Sequence, residues 1–452
     1  MLRQLNSASL TQHIAGFDLN APRLFFSVGE PSGDLHTAKL IAEMRSIQPG
    51  TSFQGFGGPR MRDAGCKLDY ELTNLAVMGF AEVLPKLREF YRVADRASEI
   101  FAKQRPDAVV LVDFPGFNWH IAERAQQYQI PVIYYLPPQL WAWGGWRIAK
   151  MRRNVDHVIC NLPFEPQWYA QRRVQADYVG HPFFDEVRQK SLDASFLAYW
   201  KSHSGVQVAV LPGSRTREIH KIWPMQLAAI RELARKHPTA RFLVAALREP
   251  HRDWCQQQLT DSDRQLNIQF FVDKTSEIIE LADCSLMKSG SVSLEMAARG
   301  TPSVVVYHIS RLHYGIACCV TRLNSMTLPN LIAGRVVMPE YLAVGSTSKA
   351  VAQSIAALDQ LMSDPQERQR QRQELLELSR SLGGEYTAIC AAENSGELIE
   401  GQAPTTSVSL RAAESICRHL GLSGCKATSS DRARPTLTDS TAPQPILLRR
   451  AA

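Results

Sequence analysis

Nine short apolar runs, each followed by a stretch with helical spacing, constrain this chain more than any other feature. They lie at 24–28, 108–112, 132–136, 157–161, 208–211, 242–246, 268–271, 285–288 and 303–307. Most are continuous in Val, Ile, Leu and Ala rather than alternating, as strands are when helices cover both faces of their sheet. The intervening segments 35–47, 121–128, 223–236 and 291–299 suit crossover helices. Repeated βα units predict parallel, doubly wound sheets. A polar helical stretch near 185–206 separates the runs into two series. The expected fold is therefore α/β, with two Rossmann-like, doubly wound domains facing each other across a cleft. Their predicted spans are 23–190 and 205–375, after an N-terminal extension (1–22) and before a terminal helix (376–400). Residues 401–452 are rich in Ser, Thr, Pro and Ala, with a short helical pattern at 410–420. That composition predicts a largely disordered tail, dispensable for chemistry.

At 452 residues and 45% hydrophobic, the chain can build two sizeable cores without a metal or disulfide staple. Its nine cysteines are scattered and form neither CxxC nor zinc-type spacing, so no metal site is expected and a reducing, cytoplasmic setting is. No cofactor is called for. No apolar window is long enough to span a bilayer, and the first twenty residues lack a signal-peptide core. The net charge of +7 favours anionic partners, either phosphorylated ligands or an acidic lipid surface. No nucleic-acid recognition motif accompanies it, so nucleic acid is not an expected partner.

In such sheets ligands gather at the carboxyl ends of strands, so the residues just beyond each run are the most informative. The first run opens into Gly29-Glu30-Pro31-Ser32-Gly33-Asp34 and then a helix. Glycines there let a ligand approach the backbone, and the helix start favours an anion; a turn capped by Ser32 or Asp34 is the plainer reading. The cluster at 53–61 lacks GxGxxG spacing, which argues for a loop lining the cleft rather than a dinucleotide site. Run 108–112 ends in Asp113-Phe114-Pro115-Gly116-Phe117-Asn118. Apolar flanks would desolvate the Asp113 carboxylate, raise its pKa and suit it to general-base work; a helix cap is the competing role. The segment 134–143 carries two Tyr, two Trp and two Pro, a rigid wall for a ligand, a membrane interface or the core. His181, between Gly180 and Pro182, could titrate near neutrality or serve as a hydrogen-bonded structural residue.

In the second series, Pro212-Gly213-Ser214-Arg215-Thr216 opens a helix. Backbone N–H groups, a hydroxyl and a guanidinium can hold phosphate there, although Walker spacing is absent. Lys288-Ser289-Gly290-Ser291 enters another helix that carries Glu295 about one turn on. The three small residues would offer donors to a diphosphate, and Glu295 could accept ribose hydroxyls; a simple capping box is the alternative. Two such turns in one domain favour a nucleotide diphosphate.

Read in order, GEPSGD (29–34), GFGGPRM (55–61), LAVMGFAEVL (75–84), VDFPGFN (112–118), PVIYYLPPQLWAW (131–143), LPFE (162–165), VGHPFFD (179–185), LPGSR (211–215), SGSVSLE (289–295), GTPSVVVY (300–307) and LPNLIAGR (328–335) form a specific series. Over roughly residues 23–345 the chain resembles the lipid-A-disaccharide synthases, GT-B-type glycosyltransferases. The resemblance implies inverting transfer of 2,3-diacylglucosamine from its UDP derivative to the 6-hydroxyl of 2,3-diacylglucosamine 1-phosphate. It implies a metal-independent, peripheral protein on the cytoplasmic face of the inner membrane. Carried over by residue, Asp113 is the general base and Arg215 neutralises the departing diphosphate. Ser289, Gly290, Ser291 and Glu295 hold UDP alongside Gly213 and Ser214, Asn330 lies near the donor pocket, and Gly29, Ser32, Gly33 and Asp34 line the acceptor side. A second copy of the chain is a candidate partner.

The chain departs from the family pattern at Gly116 (usually Asp), Pro137 (Ser), Gly144 (Arg) and His308 (Arg). These departures bear on acyl-chain or phosphate recognition more than on the base and the arginine. The basic, amphipathic segment 83–105 is a candidate membrane contact, with a plain surface helix as its alternative. Competing functions are a GT-B UDP-sugar transferase with another acceptor, such as a peptidoglycan N-acetylglucosaminyltransferase, or a UDP-sugar-binding protein without catalysis.

Overall fold

The computed structural model describes residues 21–76, 87–142, 144–320, 325–382 and 407–422, which divide into two compact units. The first contains a seven-stranded parallel sheet: β1 (Arg23–Val28), β2 (Ser52–Phe56), β3 (Lys67–Tyr70), β4 (Ala108–Val112), β5 (Val132–Tyr135), β6 (His157–Cys160) and β7 (Ala176–Tyr178). Its order is β3-β2-β1-β4-β5-β6-β7. The second contains β8 (Gln207–Leu211), β9 (Arg241–Ala246), β10 (Ile268–Val272), β11 (Cys284–Lys288), β12 (Ser303–Ile309) and β13 (Glu340–Val344), also all parallel, in the order β10-β9-β8-β11-β12-β13.

All nine apolar runs are strands. Their continuity follows from burial on both faces. In the first unit Phe25, Val109, Leu111, Val132, Tyr134 and Val158 pack into one core layer, while Leu24, Phe26, Val110, Val112, Ile133 and Ile159 pack into the other. Successive residues of a strand thus point into opposite layers, both apolar, and the few polar members such as Ser27 find hydrogen-bond partners. Phe25 meets Phe56 and Phe101 edge-on with ring centroids 5.1 Å apart. The four strands that the pattern did not reveal have a physical explanation. β3, β7 and β13 are edge strands with half-buried faces, and β2 (SFQGF) is interrupted by Gln54 and Gly55. Gly55 sits at φ +148°, where a Cβ would stand 2.0 Å from the Phe26 carbonyl oxygen, so no side chain is admitted.

The units part at Pro182/Phe183. The helices Phe183–Gln189 and Ala194–Lys201, in the predicted seam, belong to the second unit. Asp193 ties this stretch down: it caps its helix at Phe196 N and receives Lys274 Nζ at 2.7 Å. The helix Pro365–Ser381 closes the second unit against Val292–Arg299. Beyond residue 400, where composition predicts little structure, the helix Val408–Leu420 packs on the first unit. Ser407 caps its start, Gly421 ends it at φ +67°, and Val408, Ala412, Ile416 and Leu420, spaced by four, enter the core beside Leu40, Ile41 and Met44.

Candidate active site

In each sheet the strand order reverses once, between β1 and β4 and between β8 and β11, and open α/β sheets bind ligands beyond the carboxyl ends at such a reversal. Val28 is the register partner of Val112, so Gly29 and Asp113 leave the first sheet side by side. Leu211 is the partner of Met287, so Pro212 and Lys288 leave the second in the same way. The motifs picked out by sequence stand at both reversals.

At the first reversal Asp113 is half-buried, and burial pushes its carboxyl above the ordinary value, partly offset by the Phe114 N–H. Its backbone is unusual: Asp113 and Phe114 follow one another at φ +45° and +46°. Asn118 Nδ2 donates to the carbonyls of Asp113 (2.7 Å), Ser27 (3.2 Å) and Val112 (3.3 Å), and Ser27 Oγ donates to Asn118 Oδ1 at 2.7 Å. Tyr134 Oη donates to the Asp113 carbonyl at 2.8 Å. Gly29 is required sterically, because a Cβ there would lie 2.1 Å from the Phe114 ring. Ser32 is exposed in the first turn of the helix Pro31–Ile47, and Gly33 lies under Val28, whose Cγ1 a Cβ would approach to 3.0 Å.

Asp34 is 2% exposed and spends its carboxylate on three backbone N–H groups, those of Gly58 (3.0 Å), Met61 (3.1 Å) and Arg60 (3.1 Å). It caps the helix Pro59–Asp63 and so pins the glycine loop 55–58 rather than its own helix. His181 does not titrate near neutrality: burial and the neighbouring His36 push it down to about 3. Trp141 is held by Glu165, which accepts its indole N–H at 3.0 Å and the N–H groups of Leu162 (3.0 Å) and Asn161 (3.2 Å).

At the second reversal Gly213, Ser214, Ser289, Gly290, Ser291 and Glu295 all line one cavity of about 280 Å³, close to the roughly 300 Å³ at which small-molecule sites begin. Gly213, at φ +123°, takes a turn that side chains resist. Around Gly290 a Cβ would meet no atom within 4 Å, so the loop above the start of the helix Val292–Arg299 is open. Ser289 Oγ donates to Met326 O at 3.1 Å, and Ser293 Oγ to Gly290 O at 2.7 Å. Glu295 Oε1 accepts Arg299 Nε at 3.0 Å, so one carboxylate oxygen is engaged.

Sequence reasoning gave no role to several members of this cavity, among them Lys288 and Glu218. Glu218 Oε1 receives Lys288 Nζ at 3.0 Å and Arg215 Nη1 at 3.2 Å, so one carboxylate holds both cations beside the cavity. The Arg215 side chain is otherwise 81% exposed. Lys288 precedes the Ser-Gly-Ser turn, and a lysine ending a buried strand was the available signal. Asn330 stands apart from the group. Its amide is fully used inside the unit, donating to Met338 O and Glu340 Oε1 (both 2.7 Å) and accepting from Val337 N (2.7 Å) and Met338 N (2.9 Å). It fixes the turn into β13.

The departures are accommodated. A side chain at Gly116 would meet open space, Gly144 adopts φ +79°, which an arginine would resist, and His308 Nε2 lies 3.4 Å from Gly345 O. The helix Leu87–Gln104 buries Val93, Ala94, Ala97, Ile100 and Phe101 in the core. Its apolar side is therefore unavailable to a membrane, and its solvent side presents charge and the half-exposed Tyr91. The rest of the predicted membrane segment, 83–86, lies outside the described residues, as does most of 75–84.

The family model for lipid-A-disaccharide synthetase matches residues 24–393. Curated lipid-A-disaccharide synthases resemble the chain over most of its length. That of Anaeromyxobacter dehalogenans (strain 2CP-1) is 34% identical over 379 residues, covering 83% of this chain and 98% of its own. That of Nitrosococcus oceani is 32% identical over 392 residues, covering 85% and 98%. Among solved structures, a UDP-N-acetylglucosamine 2-epimerase superposes at TM-score 0.55 with 13% identity, over 89% of this chain and 97% of that one. The kitacinnamycin glycotransferase superposes at 0.53 with 15% identity, over 88% and 99%. At such identities the likeness is one of fold. A family model that matches most of the chain and curated relatives at 32–34% identity over more than four-fifths of it show that the chain belongs to the lipid-A-disaccharide synthetase family.

Proposed function

We propose that the chain is an inverting hexosyltransferase that moves 2,3-diacylglucosamine from UDP to the 6-hydroxyl of 2,3-diacylglucosamine 1-phosphate. What supports this is the family match together with two local features: Asp113 at the strand-order reversal of the first unit, and the Gly213–Arg215 and Ser289–Ser291 turns at the reversal of the second. Asp113 takes the proton of the acceptor hydroxyl as its oxygen attacks the anomeric carbon. Its raised pKa makes it a stronger base than an exposed aspartate. The bond from the anomeric carbon to the β-phosphate oxygen breaks, and its electron pair leaves with UDP. Attack from the opposite face inverts the carbon and yields the β-1,6 disaccharide phosphate.

The leaving diphosphate gains charge, which the N-terminus of Val292–Arg299, Lys288 and Arg215 meet. Glu218 holds both cations in reserve, so an arriving diphosphate can take over a cation pair already assembled. The remaining oxygen of Glu295 is available to a ribose hydroxyl. Among the described residues no helix is long and apolar enough to cross a membrane. A peripheral position on the inner membrane's cytoplasmic face fits the lipid substrates. Contact there would run through exposed cations and aromatic side chains such as Trp146 and Tyr91.

The test is formation of disaccharide phosphate and UDP from UDP-2,3-diacylglucosamine and 2,3-diacylglucosamine 1-phosphate in detergent. Asp113→Ala and Arg215→Ala should each lower turnover by more than ~100-fold. Near-normal rates in both would refute the site, and no product from wild type would refute the reaction.

A further inference from the structure

Asp113 and Phe114 are consecutive non-glycine residues in left-handed backbone, a strained conformation that reverts unless something holds it. What holds it is visible. The Asp113 carbonyl is gripped by two side-chain donors from different elements, Asn118 Nδ2 at 2.7 Å from the first turn of the helix Pro115–Gln127 and Tyr134 Oη at 2.8 Å from β5. Both side chains are fully buried. Asn118 also bonds the Ser27 carbonyl and accepts the Ser27 hydroxyl, which ties the exit of β1 to that of β4. Relaxation of residue 113 to the right-handed region would relieve the strain. It would also turn its Cα–Cβ bond, and with it the carboxylate, in another direction.

We infer that Asn118, assisted by Tyr134, is a positioning residue: by clamping the Asp113 carbonyl it keeps the strained turn that aims the carboxylate at the acceptor hydroxyl. The inference rests on Asp113 being the base. A clamp of this kind acts on the rate and leaves donor binding in the other unit untouched. Its effect also passes entirely through Asp113, so it vanishes when Asp113 can no longer act.

The experiment is a double-mutant cycle read by disaccharide formation, with thermal unfolding measured alongside. Asn118→Ala should lower kcat by ~10- to 100-fold, as expected for about 1 Å of misplacement, with the KM for the UDP-sugar within about two-fold of wild type. Tyr134→Phe removes one hydroxyl, keeps the ring beside Trp119, and should lower kcat in the same sense by a smaller factor. In an Asp113→Asn background neither change should lower the residual rate further. Additive losses, or a lower melting temperature with unchanged kcat, would overturn the inference. Should Asn118→Ala not fold, Tyr134→Phe alone decides by the same criteria. If Asp113→Asn itself turns over normally, the base assignment fails and the clamp has nothing to aim. If Asp113→Asn is inactive while the clamp variants are normal, only the positioning role fails.

Discussion

Glu165 offers a sharp test of how burial governs this fold. Its carboxylate is fully buried and accepts three N–H groups, yet desolvation outweighs them and pushes it up to about 7 from 4.5. Between those values the unfolded chain has released this proton while the folded chain retains it. The folded state then binds more protons, so stability falls as pH rises. The slope is about 1.4 kcal/mol per pH unit, and the window of about 2.5 units makes the whole contribution about 3 kcal/mol. That contribution is complete below pH 4.5 and lost as pH passes 7. Glu165→Gln keeps the shape and one acceptor oxygen and cannot titrate, so it mimics the neutral carboxyl. Urea unfolding of both proteins from pH 4.5 to 8, followed by tryptophan fluorescence, isolates the difference because other titrations cancel. The variant should match wild type near pH 4.5 and exceed it by about 3 kcal/mol at pH 8. Parallel curves with a constant offset would refute the reasoning. Because Glu165 holds the Trp141 indole, the same titration should loosen the aromatic loop, visible as a pH-dependent change in Trp141 fluorescence that the variant lacks.

Three further outcomes follow from the geometry. The pH profile of kcat/KM should show an acid limb from Asp113, lying above the ordinary aspartate value because burial raises it, with activity rising as the carboxyl ionises; Asp113→Asn should abolish that limb along with most of the rate. Gly290→Ala meets no protein atom within 4 Å, so unfolding should be unchanged, while the methyl enters the space above the helix start and raises the Kd for UDP in calorimetry. Ile416→Ala, in the helix Val408–Leu420, should destabilise the first unit by ~2–5 kcal/mol in denaturant unfolding, as removal of a fully buried isoleucine does; a negligible loss would restore the view of that segment as dispensable.

What could be read from the sequence was what burial writes directly into residue type. A strand covered on both faces is apolar at most positions, so β1, β4, β5, β8 and β11 declared themselves, and with them the strand exits where Asp113, Gly213 and Ser289 stand. Edge strands carry no such demand, which is why KLDY and ADY passed unnoticed. The tail was only partly legible for a related reason. The helical pattern at 410–420 was legible, and the helix is Val408–Leu420, but composition gave no sign that its i, i+4 apolar face enters the core of the first unit.

The polar residues were harder to place, because a side chain's type does not say which partner it has found. Asp34 and Asn330 sit in motif stretches and look like ligand contacts, yet each meets its hydrogen-bonding demand inside the protein, on the N–H groups of 58–61 and on the 337–340 turn. Glu218 and Lys288 lie within or beside the quoted motifs but were given no role, because only the register that sets β8 beside β11 brings the two exits together. Asp113 is the informative contrast. Its carbonyl is bound from two sides, its backbone is strained, and its carboxylate accepts only its neighbour's N–H among the contacts that shift its pKa. A structural aspartate in a buried turn is held through its side chain, as Asp34 is. An aspartate held by its backbone, with its side chain left to be raised by burial, is the arrangement that the proposed base role of Asp113 requires.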